Sequence, residues 1–137
     1  FIDCDHFKQF NDSRGHAAGD RLLCVVAEQL NSGVRNYDAA GRLGGDEFVV
    51  VFPECNEADA RAAATRLLDA LRSAMAKQNW PVSFSMGVAV FSVPGDPQAM
   101  LAAADAAMYD AKRDGKDRIS FRTQSDDLPP AGGPPDE

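Results

Sequence analysis

The chain has 137 residues, a formal net charge of −7, and 45% hydrophobic and 26% charged residues, a balance that fits one soluble globular domain with a modest core. Asp126, Asp127, Asp136 and Glu137 crowd its last twelve positions, and the remainder is still acidic, which argues against a nucleic-acid groove, since that needs a basic face. An anionic ligand must then be met by local cations or by metal.

No apolar run approaches the ~20 residues of a membrane helix, and no secretory leader is visible. Three cysteines without a CxxC pair read as reduced thiols, not as a disulfide frame or a zinc site, and Cys24 is expected in the core. The first residue is not Met, so the chain is expected to be a piece of something longer.

In chain order, Phe1 to Cys4 reads as the end of a strand that began earlier, followed by a polar segment to about Arg14. Leu22, Leu23, Val26, Ala27, Leu30 and Val34 recur at helical spacing and predict a helix over 18–32. A strand over 38–43, the turn Gly44-Gly45 and a strand over 46–52 predict a hairpin, because glycine tolerates positive φ. Phe48 to Phe52 is apolar without alternation, so this strand is expected to be buried on both faces. Ala60, Ala63, Ala64, Leu67, Leu68, Leu71 and Met75 mark a second long helix. Val82, Phe84, Met86, Val88 and Val90 alternate, giving a strand with one strongly apolar face. Beyond the Pro94–Pro97 break, Leu101, Ala104, Met108 and Ala111 define a third helix, which Gly115 stops. Arg118 to Phe121 reads as a last short strand. The expected domain is 1–122, and the stretch 123–137 reads as a disordered tail or linker.

This order constrains geometry. A helical crossover makes the first two strands run the same way. The third, antiparallel to its hairpin partner, can insert between them. The end of strand one and the hairpin turn then lie at one end of the sheet, bringing Asp3 near Asp46 and Glu47. Crowding carboxylates costs on the order of a kcal/mol per close pair in a partly dry site, which suggests a cation between them. Hard oxygen ligands suit Mg²⁺ or Mn²⁺. The plainer reading makes Asp46 and Glu47 polar turn residues and Asp3 a cap.

Three further pairs carry the same ambiguity. Asn11 and Asp20 could read a base by hydrogen bonding, or could be a turn residue and an early helix acid favoured by the macrodipole. Lys112 and Lys116 could neutralise phosphate, or could be solvated cations at a helix C-terminus. Arg35 and Asp38 could bind phosphate, or could form an ordinary surface ion pair. His6 and His16 lack metal-ligand partners and read as structural.

The run Gly44-Gly45-Asp46-Glu47-Phe48 resembles the signature of the GGDEF family of diguanylate cyclases. The resemblance extends to Asp3-Cys4-Asp5-His6-Phe7-Lys8, Asn11-Asp12, Gly15-His16, Gly19-Asp20, Arg42-Leu43, Ser85 to Ala89, Ala104 to Tyr109 and Ala111-Lys112, and covers Phe1 to about Phe121. It implies an α/β (α+β) fold of the nucleotidyl-cyclase and polymerase-palm kind. That fold has a mostly antiparallel sheet of about five strands flanked by helices, with a βαββαβ core.

The resemblance also implies condensation of two GTP into cyclic di-GMP and two pyrophosphates where two domains face each other in a homodimer. Asp3, Asp46, Glu47 and the backbone carbonyl of Cys4 would hold two Mg²⁺ or Mn²⁺ ions, with Glu47 supporting either the metal or activation of the 3′-hydroxyl. Asn11 and Asp20 would read guanine. Backbone N–H groups near Phe7 and Lys8, with Lys112 and Lys116, would hold the phosphates. Arg35 and Asp38 match the family's RxxD product-inhibition site, which Arg66 could join.

An upstream sensor or receiver module would control the encounter of two domains, and the domain would lie in the cytoplasm, with membrane anchoring left open. Two departures stand out: Lys116-Asp117 replaces the usual Arg-Asn, and the family's opening helix is not in the sequence. Alternatives are a degenerate sensor of GTP or cyclic di-GMP, against which the intact acidic residues argue, a cyclase of another dinucleotide, and a regulatory scaffold.

Overall fold

The molecule's helix boundaries follow from local chemistry, and the computed structural model describes residues 1–124. In chain order the elements are β1 (Ile2–Asp5), α1 (Phe7–Arg14), α2 (His16–Ser32), β2 (Ala39–Gly44), β3 (Glu47–Val51), α3 (Glu57–Gln78), β4 (Ser83–Phe91), α4 (Pro97–Arg113) and β5 (Arg118–Gln124). Helix α3 starts where Asn56 accepts a hydrogen bond from the Asp59 N–H at 2.8 Å, and it ends at Asn79 in the left-handed region. Helix α4 starts where Asp96 accepts from the Ala99 N–H at 3.0 Å, with Pro97 preset for the first turn.

The five strands form one sheet in the order β2-β3-β1-β4-β5. Strand β3 inserts antiparallel between β1 and β2, and β4 lies antiparallel on the other side of β1. Only β5 pairs in parallel, with β4, because α4 carries the chain back across the sheet. The mostly antiparallel palm-like architecture and the position of the hairpin are as expected.

One sheet face packs against α2 and α3. Phe84 and Met86 of β4, Ile2 and Cys4 of β1 and Phe48 of β3 share a core with Leu22, Val26, Leu30 and Leu71. The alternate residues of β4 face α4. At Gly87 the approach is so close that a Cβ would overlap the Ala104 carbonyl and the Met108 N–H, so the α4 backbone lies directly on the strand.

Three sequence expectations change. The segment before Arg14 is helical, since Phe10 is buried edge-on against Trp80 with ring centroids 5.7 Å apart, and this tertiary contact supports a turn too polar to announce itself. Strand β3 is not buried on both faces. Phe48 is buried under the helices, but Val51 is 49% exposed because α4 does not reach the far side of β2 and β3. Cys24 is exposed rather than in the core, since it lies on α2 one step round from the buried Leu22-Leu23 stripe. The expected tail, 123–137, lies outside the described residues except for its first two positions, which belong to β5.

Candidate active site

The site forms at the end of β1. Asp3 is paired with Glu47 in the β1–β3 register, and the Cys4 N–H donates to the Asp46 carbonyl at 3.3 Å. The hairpin turn is made by Gly44 (φ 146) and Gly45 (φ 52), conformations that favour glycine. Arg42 donates from Nε to the Gly45 carbonyl at 2.8 Å and pins the turn. The sheet therefore gathers Asp3, Asp46 and Glu47 as the topology requires.

Their charges are felt. Burial raises the pKa of Asp3, and the carboxylates of Asp46 and Glu47 push the same way, against the hydrogen bond from Lys112. The Lys112 ammonium lies 2.8 Å from Asp3 Oδ1 and 3.4 Å from Asp5 Oδ1. Burial works against that charge, but the bond to Asp3 and the two carboxylate charges outweigh it and raise the Lys112 pKa. The Cys4 thiol is pushed far up by burial and then by Asp46, so it stays protonated.

Asp5 has a role that the sequence pattern does not announce. It is fully buried and accepts from Ser85 Oγ at 2.7 Å, Ser83 Oγ at 2.8 Å and the Asp117 N–H at 3.1 Å. Burial alone would raise its pKa, but these hydrogen bonds, Ser85 first, with the Lys112 charge hold it below the usual carboxylate range. The available signal was two serines interrupting β4 on the face opposite Phe84 and Met86.

Among the described residues no group of three or more His, Cys, Asp or Glu side chains is arrayed to hold an ion alone. Two or three hard carboxylates and a carbonyl fit a Mg²⁺ site that substrate phosphates complete. A cation, the Lys112 ammonium, already stands against Asp3.

Helix α1 begins beside this cluster. Its N-cap, His6, is left-handed (φ 63) and supplies no side-chain cap, and the first turn closes with the Phe10 N–H on the His6 carbonyl at 3.0 Å. The preceding N–H groups, including those of Phe7 and Lys8, have no backbone partner among the described residues, which makes this helix end receptive to an anion. Lys116 follows α4 in the left-handed region (φ 64), as does Asp117 (φ 49). Two such non-glycine residues cost about 1–2 kcal/mol each, so the surroundings must hold them there. Lys116 forms no ion pair among the described residues.

Asn11 is half-buried, and its Oδ1 is buried without a hydrogen-bond partner. It lies against Gly19, where a Cβ would overlap that oxygen. Asp20, the next residue, is exposed and borders a cavity of about 450 Å³ between α2 and the hairpin, lined also by Leu23, Cys24, Arg42 and Phe48. Asn11 therefore touches the residue that precedes Asp20 in α2, but it does not line the cavity that Asp20 borders.

Arg35 and Asp38 stand apart in the α2–β2 connection as a two-pronged pair, Nε to Oδ2 and Nη2 to Oδ1 both 3.1 Å. The Arg35 guanidinium also stacks on Tyr37 at 4.6 Å. Arg66 is exposed on α3 and makes no hydrogen bond or ion pair with either residue, so the structure does not join it to them. His6 and His16 are exposed, His6 serving through its backbone at the β1–α1 junction.

A five-stranded palm-like sheet with acidic residues gathered at the end of its central strand defines a nucleotidyl-cyclase type of domain. The family model "Diguanylate cyclase, GGDEF domain" matches residues 1–118, and the chain belongs to that family. It is 40% identical over 126 residues to the bifunctional diguanylate cyclase/cyclic di-GMP phosphodiesterase MucR of Pseudomonas aeruginosa, covering 88% of this chain and 18% of that protein. It is 35% identical to the diguanylate cyclase DosC of Escherichia coli, covering 88% of this chain and 27% of that one. The chain thus spans about a fifth to a quarter of these relatives' length.

Among solved structures it resembles the diguanylate cyclase SiaD of P. aeruginosa, crystallised with its activator SiaC. The TM-score is 0.81 and the identity 36%, over 88% of this chain and 48% of that one. It also resembles the GGDEF domain of DgcB from Caulobacter crescentus in complex with c-di-GMP, with a TM-score of 0.69 and 28% identity, over 88% and 74%.

Proposed function

We propose that this domain is a diguanylate cyclase half-site, which binds one GTP and reacts only when a second copy faces it. The observation that carries the reading is the meeting of Asp3, Asp46 and Glu47 at the end of β1, with Lys112 and the unpaired N–H groups of α1 beside them. The activity of related cyclases supports it.

In this reading the N–H groups near Phe7 and Lys8, with the ammonium groups of Lys112 and Lys116, hold the triphosphate. Asn11 Oδ1 accepts a hydrogen bond from the exocyclic amine of guanine, and Asp20 accepts from N1–H. A carboxylate at Asp20 repels the N1 lone pair of adenine, which favours guanine. Asp3, Asp46, Glu47 and the Cys4 carbonyl would hold Mg²⁺ or Mn²⁺, which, when bound, lowers the pKa of an attacking hydroxyl and neutralises the leaving phosphates. Each domain presents one set of these groups, so two domains are needed. Each 3′-oxygen forms a bond to the partner's α-phosphorus, each α–β bridging bond breaks, and two pyrophosphates and two protons leave. Catalysis is mainly positioning and charge stabilisation.

Arg35 and Asp38, remote from this chemistry, form the product-inhibition site. Among the described residues no helix is long and apolar enough to cross a membrane, and the domain works in the cytoplasm, where GTP is. An upstream module that brings two domains together is the natural control point.

The test is incubation of the intact protein with GTP and Mg²⁺ and identification of the products by mass. Cyclic di-GMP that disappears in Asp46→Ala is the expected result. A folded, GTP-binding dimer that yields none would make the domain a nucleotide sensor instead.

A further inference from the structure

The turn between α4 and β5 carries Lys116 in a conformation that side chains rarely adopt, and all four backbone polar groups of Lys116 and Asp117 are tied down. The Lys116 N–H donates to the Ala111 carbonyl at 2.9 Å, and the Lys116 carbonyl accepts from Arg118 Nε at 2.9 Å. The Asp117 N–H donates to buried Asp5 at 3.1 Å, and the Asp117 carbonyl accepts from Arg72 Nη2 at 2.8 Å. Arg72 also donates from Nε to Asp117 Oδ1 at 2.9 Å. Arg72 belongs to α3, 45 positions away in sequence. Two of its nitrogens thus grip one residue, a geometry that lysine could not reproduce.

Backbone held in a sparsely populated region by several independent contacts usually fixes something nearby. Here the group next in line is Lys116, whose own side chain has no ion pair among the described residues.

We infer that Arg72 is a positioning residue for the substrate: with Asp5 it clamps the Lys116-Asp117 turn from both sides, so that Lys116 meets the triphosphate in one fixed orientation. This rests on the reading of Lys116 as a phosphate ligand. Asp117 is integral to the clamp because its carboxylate answers Arg72, which gives a physical use to an acidic residue at a position where the family usually shows Asn. Asp5 serves from the inside and also orients Lys112. Arg72 serves from the outside and touches neither substrate nor metal ligands.

The experiment compares Arg72→Ala, Arg72→Lys and Lys116→Ala in the intact protein, measuring KM for GTP, kcat and the melting temperature. Loss of a charged, partly exposed two-bond contact should raise KM about three- to tenfold in Arg72→Ala, with kcat within about twofold. Arg72→Lys should fall between the two, because it keeps charge but not the fork. A merely structural arginine would lower the melting temperature and the active fraction, and so apparent kcat, while leaving KM alone. A raised KM in Lys116→Ala with an unchanged KM in Arg72→Ala overturns the clamp. An unchanged KM in Lys116→Ala overturns the phosphate role of Lys116, and the clamp with it.

Discussion

The contact between Gly19 and Asn11 separates base reading from folding. A Cβ at position 19 would overlap Asn11 Oδ1 and lie 2.8 Å from Asn11 Cγ and 3.4 Å from Nδ2. All three nearest atoms belong to that one side chain, so Gly19→Ala acts first on Asn11. Inside helix α2 the change gains about 1 kcal/mol of helix propensity. Forcing Asn11 out of its rotamer costs about 0.5–1.5 kcal/mol. Net stability should therefore stay within about 1 kcal/mol of the parent. The evicted Asn11 can no longer present Oδ1 to the guanine amine, a loss of about 1–3 kcal/mol, or roughly 5- to 150-fold in kcat/KM for GTP. Inosine triphosphate lacks that amine, so its kcat/KM should change little and the preference for GTP over it should shrink by the same factor. Steady-state kinetics with both nucleotides, beside a denaturation curve, measures this. A normally folded Gly19→Ala protein with an undiminished preference would refute the assignment of Asn11.

Gly87→Ala should be far more damaging to the fold, because the added methyl meets helix backbone and not a mobile side chain; about 3 kcal/mol or more of destabilisation is expected by chemical denaturation. Chelating divalent metal should abolish cyclic di-GMP formation while leaving the melting temperature nearly unchanged, since Lys112 already compensates Asp3 and Asp5; a large loss of thermal stability would contradict that balance. Arg35→Ala should relieve product inhibition without abolishing synthesis, as progress curves with added cyclic di-GMP would record, and unchanged inhibition would reject the site.

Long-period patterns were legible in the sequence. The Leu22-to-Leu30 and Ala60-to-Met75 stripes each bury one face, so period and burial agree. Along β4, Val82, Phe84 and Met86 alternate into the same core, but Ser85 and Gly87 on the other face are buried too, Gly87 under α4, and Val88 and Val90 are only half-buried. The acidic cluster was legible too, because strand direction alone brings Asp3 to the hairpin turn. Features that depend on a distant partner were hidden. Helix α1 owes much to one edge-on contact between Phe10 and Trp80. The exposure of Val51 depends on how far α4 extends over the sheet. Cys24 counted as part of an apolar stripe although it lies at the stripe's edge, facing the cavity. The roles of Asp5 and Arg72 depend on where the 113–117 turn lands, which no local pattern encodes.

The bond between Asp5 and the Asp117 N–H joins residues 112 positions apart, and Lys112 reaches back to Asp3. Strand β1, the first element described, sits in the middle of the sheet between two strands that come later. During synthesis that strand must wait, unpaired, for β3 and then β4, and the turn that anchors Asp5 comes later still. Distant pairings of this kind slow folding. Secondary structure should therefore recover well before nucleotide binding when the domain refolds, and a ribosome-bound chain that stops short of Asp117 should have its hairpin and helices but no working grip on a triphosphate.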